Sequence, residues 1–478
     1  MLSQNELNRQ NNASRIISFL TFFNFNSIAR QCGFTKRNGV GAIYLLQILI
    51  LYQFGISKNI FSLFTSRHAK DIDCSRSTMY ELMSRPKLNW ERLLTTFGIN
   101  VIRRITSING SSSNGYLVCD DTTLKRERSK SVELLSLNFD HVFGTFYKGF
   151  TELNLGWTDG ISYVPLKIGA LSAKKDKSVI NKASDKHNKN TLAARRRSLA
   201  RMSKIEVLIK FVTDALLHGC PASYILMDSW FTMDKVIAPI KSLGLDVIGM
   251  LKGFKANVFY ENKGDSNGYN LKQLIKKHAK KKRSDICGSC LVYTKSGVAL
   301  KIVFIKNRND NKNILAIGST DTALSERDIV TKYSYRWSCE THFYIKKQYL
   351  GFEKGCQARN YDHINAHCHI TAIRFLIMQY LERSDKDFKL GGELYADLCE
   401  ELRAHDFSQA LNYIFTSLES AIGMVVSSNI TNTKVREKII NEIHNLFLKT
   451  FCSLSNYVQS FLGLDTKLKY SDLKVCHR

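Results

Sequence analysis

No stretch of this chain is apolar for long enough to cross a bilayer. The longest such run, Ala42 to Ile56, is broken by Gln47 and Gln53 and falls short of the roughly 20 residues a spanning helix needs; a buried helix is the simpler reading. Met1 to Asn12 is polar and lacks the apolar core of a signal peptide. The expectation is a protein that stays in the cytoplasm and has no membrane partner. A disulfide framework is missing too: the 12 cysteines are scattered over 478 residues, as reduced thiols are. Cys287 and Cys290 form one C-x-x-C, but a structural zinc site needs two further ligands. His363, His367 and His369 have no cysteine pair to match them, so zinc is not expected. Acidic residues are the last shortage, 42 against 69 basic ones, a net charge of +27. Such an excess points to a polyanionic partner, nucleic acid first. An acidic membrane surface, the rival, calls for a basic amphipathic helix or a lipidation signal, and neither is evident.

What is present is enough to bury a large core: 44% of the residues are hydrophobic, and the length predicts two to four domains. Residues 1–110 read as helical, with helical apolar spacing through Ile43, Leu46 and Ile50 and again from Ile60 to Phe64. A DNA-binding domain and a plain helical bundle fit this region equally well. The texture changes at Gly115. Tyr116 to Cys119 is a short apolar strand ending at Asp120-Asp121. Phe143 to Trp157 and Tyr163 to Leu171 read as two strands joined through Asp159-Gly160, a hairpin signal. A basic stretch from Lys174 to Lys204 follows, then a helix from Ile205 to Leu216 closed by Gly219 and Pro221. Next come a strand from Tyr224 to Met227 ending at Asp228, a helix, and a strand from Asp246 to Leu251. This order matches an α/β sheet of mixed strand direction. Residues 253–320 read as a mostly β insertion with one basic helix, and from Ser325 to the end the chain reads as helical.

Asp121 and Asp228 share a setting, each closing a short apolar strand. In open α/β sheets that edge is where ligands bind. If the two strands are neighbours, their carboxylates lie close and repel, and a divalent cation relieves the repulsion. Asp120 precedes Asp121, and strand alternation points the two in opposite directions. Farther along, Tyr333, Arg336, Glu340 and Lys347 fall on one face of an expected helix, because seven residues miss two turns by only about 20°. A face of this composition suits a metal-holding carboxylate flanked by phosphate donors. It is equally a solvated face with an Arg336–Glu340 ion pair.

The segment YSYRWSCETHFYIKK, Tyr333 to Lys347, resembles the Y-x2-R-x3-E-x6-K signature of the insertion-sequence-4 family of DDE transposases. Asp121-Thr122 resembles that family's first catalytic Asp, chosen over Asp120 because Thr follows it, and Asp228 resembles the second. The resemblance implies a ribonuclease-H-like α/β catalytic domain, 115–252 with 321–385, interrupted by the β-rich insertion 253–320. Flanking it would be a helical N-terminal DNA-binding domain, 1–110, and a helical C-terminal region, 386–478, suited to dimerisation. It implies two Mg²⁺ or Mn²⁺ ions held by Asp121, Asp228 and Glu340, and a cut-and-paste reaction. Water attacks at the element end, and the freed 3′-hydroxyl then attacks target DNA. Tyr333, Arg336 and Lys347 would grip phosphates, and a homodimer would pair two double-stranded DNA ends. Some relatives stack a flipped base on a Trp in the insertion. Residues 253–320 contain none, leaving Phe254, Phe259, Tyr260 or Tyr269 for that task.

The basic tracts Arg195, Arg196, Arg197 and Lys280, Lys281, Lys282 are read as phosphate contacts, each also interpretable as solvated surface. Two other functions fit the same residues: a DNA-binding protein derived from such an enzyme but no longer catalytic, and a ribonuclease-H-like nuclease that cuts without strand transfer.

Overall fold

The structure is a computed structural model. It describes residues 15–384, apart from breaks at 36–37, 67–68, 70–71, 110–114, 141–142, 185–187, 254–256, 281–284 and 308–312, and beyond them 391–402 and scattered positions up to 446. Most of the C-terminal region expected to be helical lies outside these residues; 391–402 is helical. The chain divides into two compact units. One combines 1–22, 52–57 and 389–478; the other combines 23–51 and 58–388 and carries every residue discussed below as a site.

Among the described residues, six helices precede the sheet: α1 (Arg15–Phe22), α2 (Phe25–Gln31), α3 (Ala42–Leu51), α4 (Ile60–Thr65), α5 (Arg76–Met83) and α6 (Trp90–Asn109). The apolar run at Ala42 is a buried helix, as its length requires. Its C-terminal carbonyls are met by the fully buried Arg374, whose Nε and Nη2 donate to Ile50 O at 3.1 Å and Leu49 O at 2.5 Å. A guanidinium there satisfies orphan carbonyls and opposes the negative end of the helix dipole.

The sheet follows: β1 (Gly115–Lys125), β2 (Ser136–Asp140), β3 (Thr145–Thr158) and β4 (Tyr163–Leu171), then α7 (Leu192–Ala200), α8 (Lys204–Leu217), β5 (Ala222–Met227), α9 (Asp234–Ser242) and β6 (Asp246–Leu251). β1 runs antiparallel to β3 and parallel to β5, β5 runs parallel to β6, and β3 and β4 form the hairpin expected at Asp159-Gly160. Gly160 takes φ 94° in that turn. β3 and β4 are buried almost throughout. Helices cover them, which explains their near-continuous apolar sequence. Gly149 is where β3 passes from pairing with β2 to pairing with β1; its φ is 154° and a Cβ would stand 2.2 Å from Leu124 O, so only glycine fits there.

The region read as an insertion contains β7 (Val258–Tyr260), β8 (Tyr269–Asn270), α10 (Leu271–His278), β9 (Ile286–Thr294), β10 (Ala299–Lys306) and β11 (Ile314–Ser319). It does not stand apart from the central sheet. β11 pairs with β6, and the sheet continues through β10, β9, β7 and β8. Its own small core includes Phe259, Leu274, Val292, Ile302 and Phe304. The chain then forms α11 (Glu326–Ser334), α12 (Trp337–Gln348) and α13 (Tyr361–Ser384). The segment expected as one helix from Tyr333 to Lys347 is thus two, with Tyr335 ending α11 and Arg336 opening α12. No helix among the described residues is long and apolar enough to cross a membrane.

Candidate active site

The parallel register of β1 and β5 ends at Cys119 opposite Met227, and the next residue on each is an acid: Asp228, just past β5, and Asp120, still inside β1, which runs on to Lys125 paired with β3 rather than ending at the acids as expected. These acids repel one another. Burial pushes Asp120 up to about 7, with the charges of Asp228 and Asp121 pushing further and Arg336 pulling the other way. Asp228 is raised as well, by burial first and by the charge of Asp121. Its carboxylate accepts from the Trp230 N–H at 2.9 Å, and its backbone carbonyl accepts from Thr232 Oγ1 at 2.7 Å, which fixes the turn leaving β5.

α12 supplies the third acid. Glu340 lies one turn after Arg336, and the guanidinium joins two chain segments: Nη1 donates to Asp120 Oδ2 at 2.7 Å and Nη2 to Glu340 Oε1 at 2.5 Å. Nε of Arg336 is buried and has no hydrogen-bond partner, and the guanidinium lies 5.9 Å from the Tyr333 ring centre. Lys347, two turns along the same face, reaches Thr123 Oγ1 and Glu353 at 3.4 Å each. Asp121 points elsewhere, and its Oδ2 pairs with Lys204 Nζ of α8 at 2.9 Å. The acid that shares a cation with Glu340 is therefore Asp120, the neighbour of the residue chosen from the sequence.

Sequence reasoning missed what holds α12 down. Lys346 and Glu152 of β3 form an ion pair with both side chains fully buried. Asn154 Nδ2 donates to the same carboxylate at 2.7 Å, and the Lys346 ammonium stands 4.1 Å from the Phe352 ring centre. The signal was in the sequence: Glu152 and Asn154 are two strongly polar residues, one alternation apart, between apolar neighbours Leu153 and Leu155 in the strand.

The basic tract of α7 needs correction. Arg197 is 5% exposed, binds Glu133 through Nε and Nη2 at 2.6 and 2.9 Å, and reaches Asp362 at 2.8 Å. Arg196 binds the other oxygen of Asp362 and the carbonyls of Leu88 and Pro86. These two arginines tie α7 to α13 and to the loop before α6, and their donors are spent. Arg195 remains exposed. Lys280 is exposed beside the start of β9, whereas Lys281 and Lys282 lie outside the described residues. The stacking aromatics also change. Phe259 is 3% exposed, within the core of its own strands; Tyr269 is half-buried under Lys277, Tyr260 is half-buried, and Phe254 is not described. The exposed tryptophans sit beside the acids instead, Trp230 at 42% and Trp337 at 65%.

Residues 59–263 match the family model of the DDE superfamily endonuclease, a stretch that contains Asp120, Asp121 and Asp228. Residues 183–376 match that of the transposase DDE domain, which contains Asp228, Arg336 and Glu340. Both matches are to DDE transposase-type domains, each over less than half of the chain. Such domains imply a ribonuclease-H-like fold, act on DNA, and generally depend on divalent metal ions. No curated protein matches the chain. As arranged, these acids do not make a metal cage: among the described residues no three His, Cys, Asp or Glu side chains are grouped to hold an ion. The Arg336 guanidinium occupies the space between Asp120 and Glu340 that a cation would need.

Proposed function

We propose that this protein is a cut-and-paste DNA transposase of an insertion sequence. It would hydrolyse element ends and transfer the freed 3′-hydroxyl to target DNA. The observation that carries this reading is Arg336 bridging Asp120 of β1 and Glu340 of α12, with Asp228, just past β5, near enough for its charge to act on Asp120 and to be eased by Arg336, where the parallel pairing of β1 and β5 ends, within the matched regions. That edge is where open α/β sheets bind ligands.

The catalytic acids proposed are Asp120, Asp228 and Glu340. Asp121, the residue expected from the motif, contributes its charge to Asp228 and is held by Lys204. Tyr333, Arg336 and Lys347 line the same helical edge and would contact phosphates; Arg195 and Lys280 would add backbone contacts. Trp337 offers an exposed face on which an unpaired base could stack, whereas the Trp230 ring carries the Lys252 ammonium 4.8 Å from its centre. Two Mg²⁺ or Mn²⁺ ions, the number expected from the sequence, could use these acids only after Arg336 releases them. A homodimer synapsing two ends, the assignment to the insertion-sequence-4 family, and the division into N-terminal, catalytic, inserted and C-terminal domains are parts of the same proposal.

The test is a DNA fragment carrying both flanks of the coding region, incubated with Mn²⁺ and with or without a target plasmid. The Asp120→Asn, Asp228→Asn and Glu340→Gln proteins are expected to cut at least about a hundredfold more slowly than wild type, the scale on which loss of a transition-state charge contact is felt. Asp121→Asn is expected to cut within about tenfold of wild type. The reverse order for Asp120 and Asp121 would return the role to Asp121. Cutting without joining to the plasmid would indicate a nuclease lacking strand transfer.

A further inference from the structure

A cleft of about 510 Å³ opens between α6, β4, α7, α8 and α13, and it uses none of the three proposed catalytic acids. Its mouth is cationic. Arg92, Lys189, Arg195 and Lys210 line it, all exposed, and none is in an ion pair among the described residues. The acids in the cleft are already engaged: Glu91 and Asp214, both half-buried, pair with the buried Lys167, and Asp214 also lies 3.6 Å from His218 Nδ1. Arg196, on the same wall, is bound by Asp362. The free charge facing solvent is therefore positive.

The floor is polar in a specific way. His369 is 1% exposed and Asn365 6%. His369 Nδ1 lies 2.8 Å from the Asn365 carbonyl, an acceptor, so Nδ1 carries the proton and Nε2 is left as an acceptor. That Nε2 and the Asn365 Oδ1 are buried and have no hydrogen-bond partner, and both residues line the cleft. Burial pushes His369 down to about 4, which keeps the ring neutral and Nε2 accepting at neutral pH. Buried acceptors without donors are costly, so a ligand bringing N–H groups is favoured. Between mouth and floor the walls include apolar side chains of Ile168, Leu199, Met202 and Phe211.

We infer that this cleft binds a nucleotide unit, its phosphate at Arg92, Lys189, Arg195 and Lys210 and its base between the apolar walls, with base N–H groups donating to His369 and Asn365. The three zones match the three parts of that ligand, and the volume falls in the usual range for small-molecule sites. A nucleotide extruded from a DNA strand and a free nucleotide share this chemistry.

The test is calorimetric titration of the full chain with deoxyadenosine 5′-monophosphate, inorganic phosphate and deoxyadenosine. The Asp228→Asn protein is titrated in parallel, so that the result does not depend on the cleavage reading. The monophosphate is expected to bind both proteins equally and at least tenfold more tightly than either fragment. Arg195→Gln and Lys210→Gln, both surface changes, are each expected to weaken it at least threefold. Asn365→Asp, which keeps the acceptor, is expected to retain binding, and Asn365→Leu to lose it while the thermal transition is preserved. A single-stranded oligonucleotide that displaces the monophosphate identifies a nucleotide within DNA as the occupant; one that does not identifies a free nucleotide. Absence of monophosphate binding, or binding indifferent to Arg195 and Lys210, overturns the inference.

Discussion

Arg336 holds two of the three acids through charge-assisted hydrogen bonds, a class worth about 1.5–3 kcal/mol each. A divalent ion must displace it to reach Asp120 and Glu340, and a DNA phosphate is the natural acceptor for the displaced guanidinium. In Arg336→Gln the competitor is gone. Mn²⁺ affinity of the DNA-free protein, followed by electron paramagnetic resonance, is expected to rise by about tenfold or more, while cleavage falls. Unchanged or weaker Mn²⁺ binding would mean that Arg336 does not compete for these carboxylates. Legibility at this scale was uneven. The spacing of Arg336, Glu340 and Lys347 stood in the sequence, as did the placement of Asp228 at a strand end. Whether Asp120 or Asp121 faces α12 was not readable, because two adjacent acids on one strand differ only in which way the pleat turns them, and that is set by pairing with β3 and β5.

Among the elements, α12 and α13 carry the clearest consequences. The buried Lys346–Glu152 pair fixes α12, and with it Glu340, against β3. Removing one partner leaves the other charge buried and unpaired. Lys346→Ala is expected to lose about 3–5 kcal/mol of stability, measured by urea denaturation, and a loss below about 1 kcal/mol would deny the pair that role. α13 buries three histidines. Burial pushes His363 and His369 down to about 4 each and holds His367 well below its ordinary range. Between pH 6.5 and 4 the unfolded chain binds protons that the folded chain does not, so stability is fully present above pH 6.5 and is lost as pH falls through that window. The loss is on the order of 3 kcal/mol at pH 4 for each of His363 and His369. Denaturation midpoints should fall steeply from pH 7 to 4.5 and less steeply in His363→Phe; equal slopes would contradict this. The hairpin at Asp159-Gly160 and the strands before Asp120 and Asp228 were legible because turn chemistry and apolar runs are local. β2 was not, since Ser136–Asp140 is only five residues long and its apolar Leu137 and Phe139 are exposed rather than facing a core. Nor was the break between α11 and α12, which no Gly or Pro marks.

The whole molecule carries a net charge of +27, and this excess was legible from composition alone. Its distribution was not. Of the arginine run 195–197, two members are consumed by Glu133 and Asp362, acids 60 or more positions away in sequence for the first and over 160 for the second, and only tertiary folding brings them together. The same holds for the sheet, where strands read as an insertion extend the central one through β11 and β6. DNA binding by the remaining basic surface is expected to weaken steeply with salt, by about 10³-fold or more between 50 and 200 mM if six or more phosphates are contacted. A flat response in a filter-binding titration would contradict broad phosphate contact. The most direct measurement of the central claim pairs binding with cutting in the Asp228→Asn protein, on DNA that carries both flanks of the coding region. Undiminished DNA affinity with cleavage abolished is the predicted result. Cleavage at the wild-type rate would contradict the account.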